Sequence, residues 1–415
     1  MVSEISTNWL KRDLEDSIKK TLDKFFSEDK PESALTDFSK QINSYADNDH
    51  LNYYPWSVTW QIGSECNLRC RHCFFCGKEH LFNSQNDLTS AQAIELADLL
   101  KDEFSIVSIT ITGGEPFLRE DLFEILKRLK SRNIGIYLHT NGTLVTPQIA
   151  SKLKEILNPE IDTVQVSLDG ASEEIYSRIR GSNIFDKACN GIKNLIEQEI
   201  PVAVNCTPTS INLHELPLLY QLCCDLKIKK FSLSRFFTTD KKQEYLIPDT
   251  DNLFKSVAEI TDMERKNPST YFRLNLFRFP HLVSNEKVRK FLDNYIDFEA
   301  YKDIRDQNMH CNNYKTIYIN PDGKIYLCYL AKGNNDENMP VGDFKKESLI
   351  DVWNNRYKNI FFQKRNSDKL ICKKCKYFCI CKGGCPALAF GKYGDFYAPD
   401  GECLYGKELM TELKD

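Results

Sequence analysis

From Trp56 onward, short runs of β-branched and apolar residues alternate with longer stretches of helical period. This alternation is typical of parallel strands joined by crossover helices. One helical stretch starts at Thr89, which can cap the free amides, and another starts at Arg119. The predicted strands are 56–63, 105–112, 134–140, 162–168, 201–206 and 229–234. Because a closed barrel of this type needs eight strand–helix units, six units predict an α/β fold with a partial (β/α)6, TIM-like barrel.

Unusual loops follow the first four predicted strands. In parallel sheets the chemistry lies beyond the carboxyl ends of the strands, on the loops that follow them. The run ECNLRCRHCFFC follows the first strand, and the next three loops are TGGEPF (112–117), HTNG (139–142) and SLDG (167–170). One glycine-containing loop alone is most often a simple turn. Four loops of unusual composition at successive strand ends instead indicate one functional site, at the carboxyl edge of the sheet, which we call the rim.

Composition narrows what the cysteines can do. The chain has 415 residues, of which 41% are hydrophobic and 27% charged, enough for two or three domains and a large core. We find no signal-peptide core and no apolar run that could span a bilayer, so we expect a cytoplasmic protein. Thiols stay reduced there, so sixteen cysteines in short spacings favour metal binding or catalysis. The net charge of −4 predicts neither nucleic acid nor membrane as a partner.

Cys66, Cys70 and Cys73 have the spacing C-x3-C-x2-C. Three thiolates from one loop can converge on a four-iron cluster and leave one iron open to a small molecule. A structural zinc site usually takes four ligands from two C-x2-C pairs. The spacing, followed one strand later by GGEP, resembles the radical S-adenosylmethionine (SAM) superfamily over roughly residues 55–240. Cys76 is surplus to this pattern and is either a spectator or a replacement for Cys73 in a shifted register.

The resemblance implies a chemistry and a SAM site. In that superfamily the open iron binds the amine and carboxylate of SAM, and one electron splits the sulfonium to give a 5′-deoxyadenosyl radical. By resemblance, Ser167 faces the ribose or carboxylate, and Arg180 can pair with the carboxylate through its planar fork. His72 stands where the family usually has Phe or Tyr near the adenine. The residues implied to accept and position the methionine amine are Gly113, Gly114 and Glu115.

A second cysteine array occupies the C-terminal hundred residues. The stretch TIYINPDGKIYLC (316–328) predicts a hairpin about NPDG, where Gly323 can adopt positive φ. With the text CKKCKYFCICKGGC, the array resembles the SPASM extension of radical SAM enzymes that modify peptides and proteins, over residues 311–403. That resemblance implies two auxiliary four-iron clusters, one held by four thiolates and the other by three. The first set is Cys372, Cys375, Cys381 and Cys403, and the second is Cys311, Cys328 and Cys385.

The other cysteines and a zinc alternative remain to be placed. Cys379 is a spare candidate for the open iron of the three-thiolate cluster. A zinc ribbon in the segment 372–385 is the alternative to the clusters. Four further cysteines fall in helix or strand patterns and are expected to be small buried hydrophobic residues; they are Cys189, Cys206, Cys223 and Cys224.

The cysteine spacings and the loop motifs indicate how the radical is formed more clearly than they indicate which product is made. The first hypothesis is an enzyme that modifies a ribosomally made precursor peptide, forming a thioether or carbon–carbon crosslink, with a reductase, flavodoxin or ferredoxin as electron donor. A sulfatase maturase is the alternative, but that family carries an acidic residue where this chain has Tyr329. A haem-pathway or small-cofactor SPASM enzyme is another. A non-catalytic iron–sulfur electron carrier would leave the GGEP loop and Arg180 without a purpose.

The predicted organisation has three parts. Residues 1–52 form an N-terminal helical region, 53–300 the radical SAM barrel with connecting helices, and 305–415 the SPASM domain. The first part is charged and helical in period, which suits a helical brace on the barrel. The alternative is a module that grips a leader peptide, although no three-strand winged-helix pattern is found there.

Overall fold

The structure is a computed structural model. It describes residues 55, 57–74, 84–181, 184–238, 240–274, 316–332, 340–359, 370–375, 377–378, 383–403 and 406. The predicted N-terminal region and its two interpretations therefore lie outside the described residues. The same holds for four cysteines of the sequence analysis, which are Cys76, Cys311, Cys379 and Cys381.

One ten-stranded sheet runs through the described residues. Its strands are β1 Ser57–Gln61, β2 Ser108–Thr112, β3 Gly135–Thr140, β4 Thr163–Ser167, β5 Val202–Cys206, β6 Lys230–Leu233, β7 Tyr271–Leu274, β8 Thr316–Ile319, β9 Lys324–Tyr326 and β10 Gly342–Asp343. Their order is β10-β9-β8-β1-β2-β3-β4-β5-β6-β7. β1 to β7 pair in parallel and the sheet does not close, which confirms the partial barrel.

All six predicted strands are present, and β7 is a seventh parallel strand that the sequence interpretation missed. It pairs with β6 through Lys230 and Tyr271 at one end. β7 has only four residues, and Arg273 interrupts its apolar character. A stretch this short and polar carries too weak a period to stand out from a loop.

Helices cross between the strands. They are α1 Ser90–Asp102, α2 Leu122–Ser131, α3 Pro147–Ile156, α4 Glu173–Arg180, α5 Phe185–Glu197, α6 Leu216–Asp225, α7 Thr250–Lys266, α8 Tyr329–Lys332, α9 Leu349–Asn355 and α10 Pro386–Tyr393. As predicted, Thr89 caps α1, and it forms a capping box with Gln92. The helix expected from Arg119 begins at Leu122 instead, because Arg119 Nη1 donates to the Ile62 carbonyl at 2.6 Å.

Apolar residues on alternate strand positions pack against these helices. Ile109 and Ile111 of β2 and Val164 and Val166 of β4 are fully or almost fully buried in this main core. Three of the four extra cysteines are buried in it and the fourth packs against it, which confirms them as small core residues. They are Cys189, Cys206, Cys223 and Cys224. No helix within the described ranges is long and apolar enough to cross a bilayer.

The predicted C-terminal hairpin is confirmed. β8 and β9 pair antiparallel, and Gly323 in the turn has a φ of +87°. A Cβ atom on Gly323 would also lie 2.8 Å from the Phe344 ring, so the turn needs glycine for both reasons. β8 pairs in parallel with β1. The C-terminal region therefore continues the barrel sheet directly, on the side of the strand that precedes the first cysteines.

Candidate active site

The loop with Cys66, Cys70 and Cys73 begins directly after β1, at the carboxyl edge of the sheet. The Leu68 amide donates to Cys66 Sγ at 3.4 Å, and the Cys73 amide donates to the Cys70 carbonyl at 3.0 Å. Burial raises the pKa of Cys70 to about 12, against the opposing effect of Arg180. An isolated thiol here stays protonated, so a bound cation has to supply the charge that favours the thiolate.

The donors of this loop are those that an iron–sulfur cluster takes. The thiolates of a four-iron cluster each bind a different iron, and hydrogen bonds to the sulfurs, such as the one that the Leu68 amide donates to Cys66 Sγ, accompany such sites. The three cysteines therefore fit a cluster and would hold it.

Neighbouring loops fasten the cysteine loop. The Arg71 amide donates to the Ile179 carbonyl of α4 at 2.7 Å. Gln243 Nε2 donates to the carbonyls of Arg71 and Cys73 at 2.7 and 3.1 Å. Asn141 of the HTNG loop donates to Asn67 Oδ1 at 2.8 Å. The sequence interpretation missed Gln243, which lies 170 positions from Cys73.

The GGEP loop lies against the residues that precede Cys66. The Gly114 amide donates to the Gly63 carbonyl at 2.9 Å, and the Glu115 amide donates to the Glu65 carbonyl at 2.7 Å. A Cβ on Gly114 would lie 2.1 Å from the Glu65 carbonyl oxygen, and one on Gly113 would lie 3.0 Å from that of Gly63. Close approach of two backbones therefore explains these glycines. Their role toward the methionine amine stays a prediction.

Glu115 links the GGEP and HTNG loops. Its side chain is buried and accepts hydrogen bonds from Thr140 Oγ1 at 2.7 Å and from the Asn141 amide at 2.8 Å. Burial raises the pKa of Glu115 to about 7, although these donors oppose the shift. The Phe117 amide also donates to Glu115 Oε1, at 3.4 Å. A carboxylate has about four acceptor positions, so after these three donors one remains for an ammonium donor. The geometry is compatible with the predicted contact to the methionine amine.

Asp169, in the SLDG loop, is the central acceptor of the rim, and the sequence interpretation did not select it. It is fully buried and accepts from Arg180 Nε at 2.6 Å and from the Thr207 amide at 2.7 Å. His72 Nε2 lies 3.3 Å from the same carboxylate. Burial works against the charged form of Asp169, but the Arg180 guanidinium and the hydrogen bond from the Thr207 amide hold its pKa below the usual range. The sequence did contain a signal that could have identified Asp169, because it is an acidic residue in a glycine-containing loop directly after a predicted strand.

Two of the predicted SAM-binding residues, His72 and Arg180, contact Asp169. Arg180 Nε donates to the Asp169 carboxylate, Nη2 forms an ion pair with it, and Nη1 lies 4.0 Å from Cys70 Sγ. Burial lowers the pKa of His72 to about 4, which keeps the imidazole neutral. Ser167 ends β4 in register with Asn205 of β5. The pairing of Arg180 with the SAM carboxylate, the stacking of His72 on adenine and the role of Ser167 stay predictions.

Below the rim, the strands carry polar side chains on the face opposite the main core. Tyr137 donates to Gln165 Oε1 at 2.9 Å, and Tyr318 donates to Gln61 Oε1 at 2.7 Å. Lys230 Nζ lies 5.5 Å from the centroid of the Tyr137 ring. None of the seven strands β1–β7 contains an Asp or Glu. We call this surface the polar wall; its hydroxyl, amide and cationic members are Thr59, Gln61, Thr110, Tyr137, Gln165, Asn205, Lys230, Ser232 and Arg273.

The C-terminal cysteines lie in two environments. Cys328 and Cys385 share one apolar cluster, against which Phe74, the residue after Cys73, also packs. Two members of the predicted three-thiolate set therefore come together beside the first cysteine loop. Cys372 packs with Leu370 and Phe378, and Cys403 Sγ accepts the Gly406 amide at 3.2 Å. Because Cys381 lies outside the described residues, the four-thiolate set and the zinc ribbon remain predictions.

Two family models match the chain. Residues 60–222 match the radical SAM superfamily, and residues 311–376 match the SPASM iron–sulfur cluster-binding domain. The chain therefore carries a radical SAM domain followed by a C-terminal SPASM domain. These domains imply SAM and 4Fe–4S clusters as cofactors, in agreement with the cysteine spacing.

Similar proteins fall into two substrate classes. The AdoMet-dependent heme synthase of Methanosarcina barkeri is 24% identical over 358 residues, covering 85% of this chain and 97% of the relative. Mycofactocin maturase MftC of Mycobacterium tuberculosis is 25% identical over 358 residues, covering 85% and 83%. The crystal structure of Streptococcus suis SuiB bound to precursor peptide SuiA has a TM-score of 0.63 at 20% identity, covering 87% of this chain and 78% of SuiB. The structural likeness confirms the fold.

Proposed function

We propose that this protein modifies a ribosomally synthesised peptide, forming a thioether or carbon–carbon crosslink. The polar wall carries this proposal. A peptide brings an amide at nearly every residue, and each one needs a hydrogen-bond partner once water is displaced. The hydroxyl and amide groups of Thr59, Gln61, Thr110, Asn205 and Ser232 can supply such partners. The similarity to a mycofactocin maturase supports the same substrate class.

The loops at the carboxyl edge of the sheet would form the radical, and the polar wall would bind the peptide. When bound, the reduced cluster and SAM supply a 5′-deoxyadenosyl radical that abstracts a hydrogen atom. Cys66, Cys70 and Cys73 would hold the cluster, and Asp169 fixes Arg180 beside them. The wall would present the peptide to the rim. Closing a crosslink releases a proton and an electron from the substrate radical, and an auxiliary cluster can take that electron or bind a substrate thiolate. A reductase, flavodoxin or ferredoxin would deliver the starting electron.

Tyr329 argues against a sulfatase-maturase reaction. It begins α8, directly after Cys328, where that family carries its acidic residue. Its ring lies 6.0 Å from that of Phe74, 6.3 Å from Phe237 and 6.2 Å from Tyr318. An aromatic side chain packed among other rings is a poor substitute for a carboxylate base. This group of aromatic rings instead offers an apolar surface between the two cysteine arrays.

A carboxylate-bearing tetrapyrrole is the second candidate substrate. Lys230 and Arg273 place two cationic side chains on the wall, and groups of this kind can pair with substrate carboxylates. The similarity to an AdoMet-dependent heme synthase supports this class. The two candidates differ in what they need from the wall, because a peptide needs hydroxyl and amide partners, whereas a macrocycle that carries carboxylates needs cationic ones.

The decisive assay offers both substrate classes to the reconstituted protein with SAM and dithionite. One arm contains short peptides encoded beside its gene, and the other contains iron coproporphyrin III. The proposal predicts a peptide that has lost two hydrogen atoms, with 5′-deoxyadenosine formed alongside. A tetrapyrrole that loses carbon dioxide, with unchanged peptides, would favour the second candidate. Absence of deoxyadenosine in both arms would indicate an electron carrier.

A further inference from the structure

Residues that follow β6 contact both cysteine arrays. On one side, Gln243 Nε2 holds the carbonyls of Arg71 and Cys73 at 2.7 and 3.1 Å. Thr238 Oγ1 donates to Gln243 Oε1 at 2.9 Å, which fixes the orientation of this amide. On the other side, Arg235 reaches the C-terminal loops. We call Arg235, Thr238 and Gln243 the rim bridge.

Arg235 makes a buried ion pair with two carboxylates. Its Nη1 and Nη2 donate to Asp400 at 3.0 and 2.7 Å. Its Nε and Nη2 donate to Glu402 at 3.0 and 2.7 Å. The Arg235 and Asp400 side chains are each 1% exposed, and that of Glu402 is 3% exposed. Only the planar fork of an arginine can satisfy both carboxylates in this arrangement.

Asp400 also contacts two loops that carry cysteines. Its carboxylate accepts the Cys385 amide at 2.7 Å, and its carbonyl accepts the Cys403 amide at 2.9 Å. Gly384 has a φ of +70°, and a Cβ there would lie 2.4 Å from the Asp400 Cβ. The backbone therefore approaches Asp400 as closely as it can. Cys385 and Cys403 belong to different predicted auxiliary clusters, so one residue contacts a loop of each, through its carboxylate and through its carbonyl.

The charges make Arg235 indispensable to this arrangement. One guanidinium faces two carboxylates in a site closed to water, and removing it would take away the ion pairs and hydrogen bonds that it makes with both. Two buried carboxylates without the guanidinium between them repel each other, and a buried charge that loses its partner destabilises the structure strongly. Their separation would release the Cys385 amide and the Cys403 loop, while the first cysteine loop keeps its contacts to α4 and to the HTNG loop.

We propose that Arg235 is a positioning residue for the auxiliary clusters. Through Asp400 it holds the loops of Cys385 and Cys403, and through the rim bridge it sets their placement relative to the loop of Cys66, Cys70 and Cys73. This role goes beyond the proposed peptide chemistry and does not depend on which substrate is modified.

The test compares Arg235→Met with Lys392→Met in the full-length, reconstituted protein. Lys392 Nζ lies 3.0 Å from Glu244 Oε1 and joins the same two regions, but these side chains are 24% and 46% exposed, so the pair contributes little. Iron content, electron paramagnetic resonance of the dithionite-reduced protein and deoxyadenosine formation are measured. Arg235→Met is expected to lose at least one third of the iron and the auxiliary-cluster signals. The SAM-sensitive signal and deoxyadenosine formation should persist, and Lys392→Met should match wild type.

Two further variants protect the test from a folding failure. Arg235→Met combined with Asp400→Asn and Glu402→Gln removes the uncompensated charge and keeps an acceptor for the Cys385 amide, so it should regain iron. Arg235→Lys keeps the cation without the fork, so it should retain the clusters with altered auxiliary signals and an altered midpoint potential. Wild-type auxiliary signals in both Arg235→Met and Arg235→Lys would overturn the proposal. Loss of all clusters together in every variant would overturn it too, because Arg235 would then serve the whole fold.

Discussion

The cysteine loop after β1 and the C-terminal cysteine loops are held by different kinds of contact. Around Cys66, Cys70 and Cys73, neutral hydrogen bonds and glycine approaches join loops from successive strand ends. Around Cys385 and Cys403, one buried guanidinium and two carboxylates take that role. In the first region, many contacts of modest strength together stabilise the loop. The second depends on one residue, so it should fail in one step when that residue is changed.

The largest expected effect separates the arrays directly. Replacing Cys66, Cys70 and Cys73 together by Ala should abolish SAM cleavage and leave the auxiliary clusters in place. The reconstituted wild type should hold about twelve irons from three four-iron clusters, and the variant about eight. Iron analysis and deoxyadenosine quantification check this. Deoxyadenosine from the variant would show that the SAM cluster lies elsewhere, and tightly bound zinc with fewer than about five irons in wild type would exclude three clusters.

Asp169→Asn tests the one strong charge pair on the SAM side. The variant leaves Arg180 buried without its carboxylate, which should cost about 3–5 kcal/mol of stability and weaken SAM binding. Asp98→Asn removes the partner of the half-exposed Arg128 and serves as the control. Denaturant unfolding and SAM titration are the measurements. If both variants bind SAM equally well, Asp169 does not position Arg180.

Gly114→Ala tests whether close backbone approach holds the rim. The new methyl group would meet the Glu65 carbonyl, so the GGEP loop must move away from the cysteine loop. We expect a loss of about 2–4 kcal/mol together with most SAM cleavage. Gly394→Ala, at a φ of +66° with no atom within 4 Å, should cost only about 1 kcal/mol. Similar losses in both would mean that backbone strain, and not contact between the loops, explains Gly114.

The smallest expected effect concerns Glu115 and pH. Burial raises its pKa from 4.5 to about 7, so the folded apo-protein binds this proton more tightly than the unfolded chain. The free energy of unfolding should therefore fall as the pH rises between these values, by up to about 3 kcal/mol. Glu115→Gln should lack this part of the slope, whereas Glu124→Gln on the exposed side of α2 should keep it. Identical slopes in the two variants would contradict the assignment.

The local patterns of the sequence predicted much of this molecule. The strand periods located β1 to β6, and the NPDG turn located the β8–β9 hairpin, because both signals lie within a few residues. The C-x3-C-x2-C spacing of three cysteines, together with GGEP, predicted the radical SAM domain that the family model matches over residues 60–222. β7 escaped because four residues with an arginine carry little period.

What escaped at the site is contact between distant segments. Gln243 meets Cys73 across 170 positions, and Arg235 meets Asp400 across 165. No local period reports such a pairing, because it depends on where the loops fall once the sheet has formed. Asp169 was within reach, since it follows a predicted strand directly, but its role rests on Arg180 and Thr207 lying around it in space.

The central claim is that the first array starts the reaction and the C-terminal array finishes it. The ratio of crosslinked peptide to 5′-deoxyadenosine, measured by mass spectrometry for wild type and for Cys372, Cys381 or Cys403 replaced by Ala, tests it most directly. Each variant must first show retained four-iron absorbance, since losing a cluster can also destabilise the fold. We predict deoxyadenosine with little or no crosslinked peptide. An unchanged ratio would contradict the claim and make the C-terminal clusters structural only.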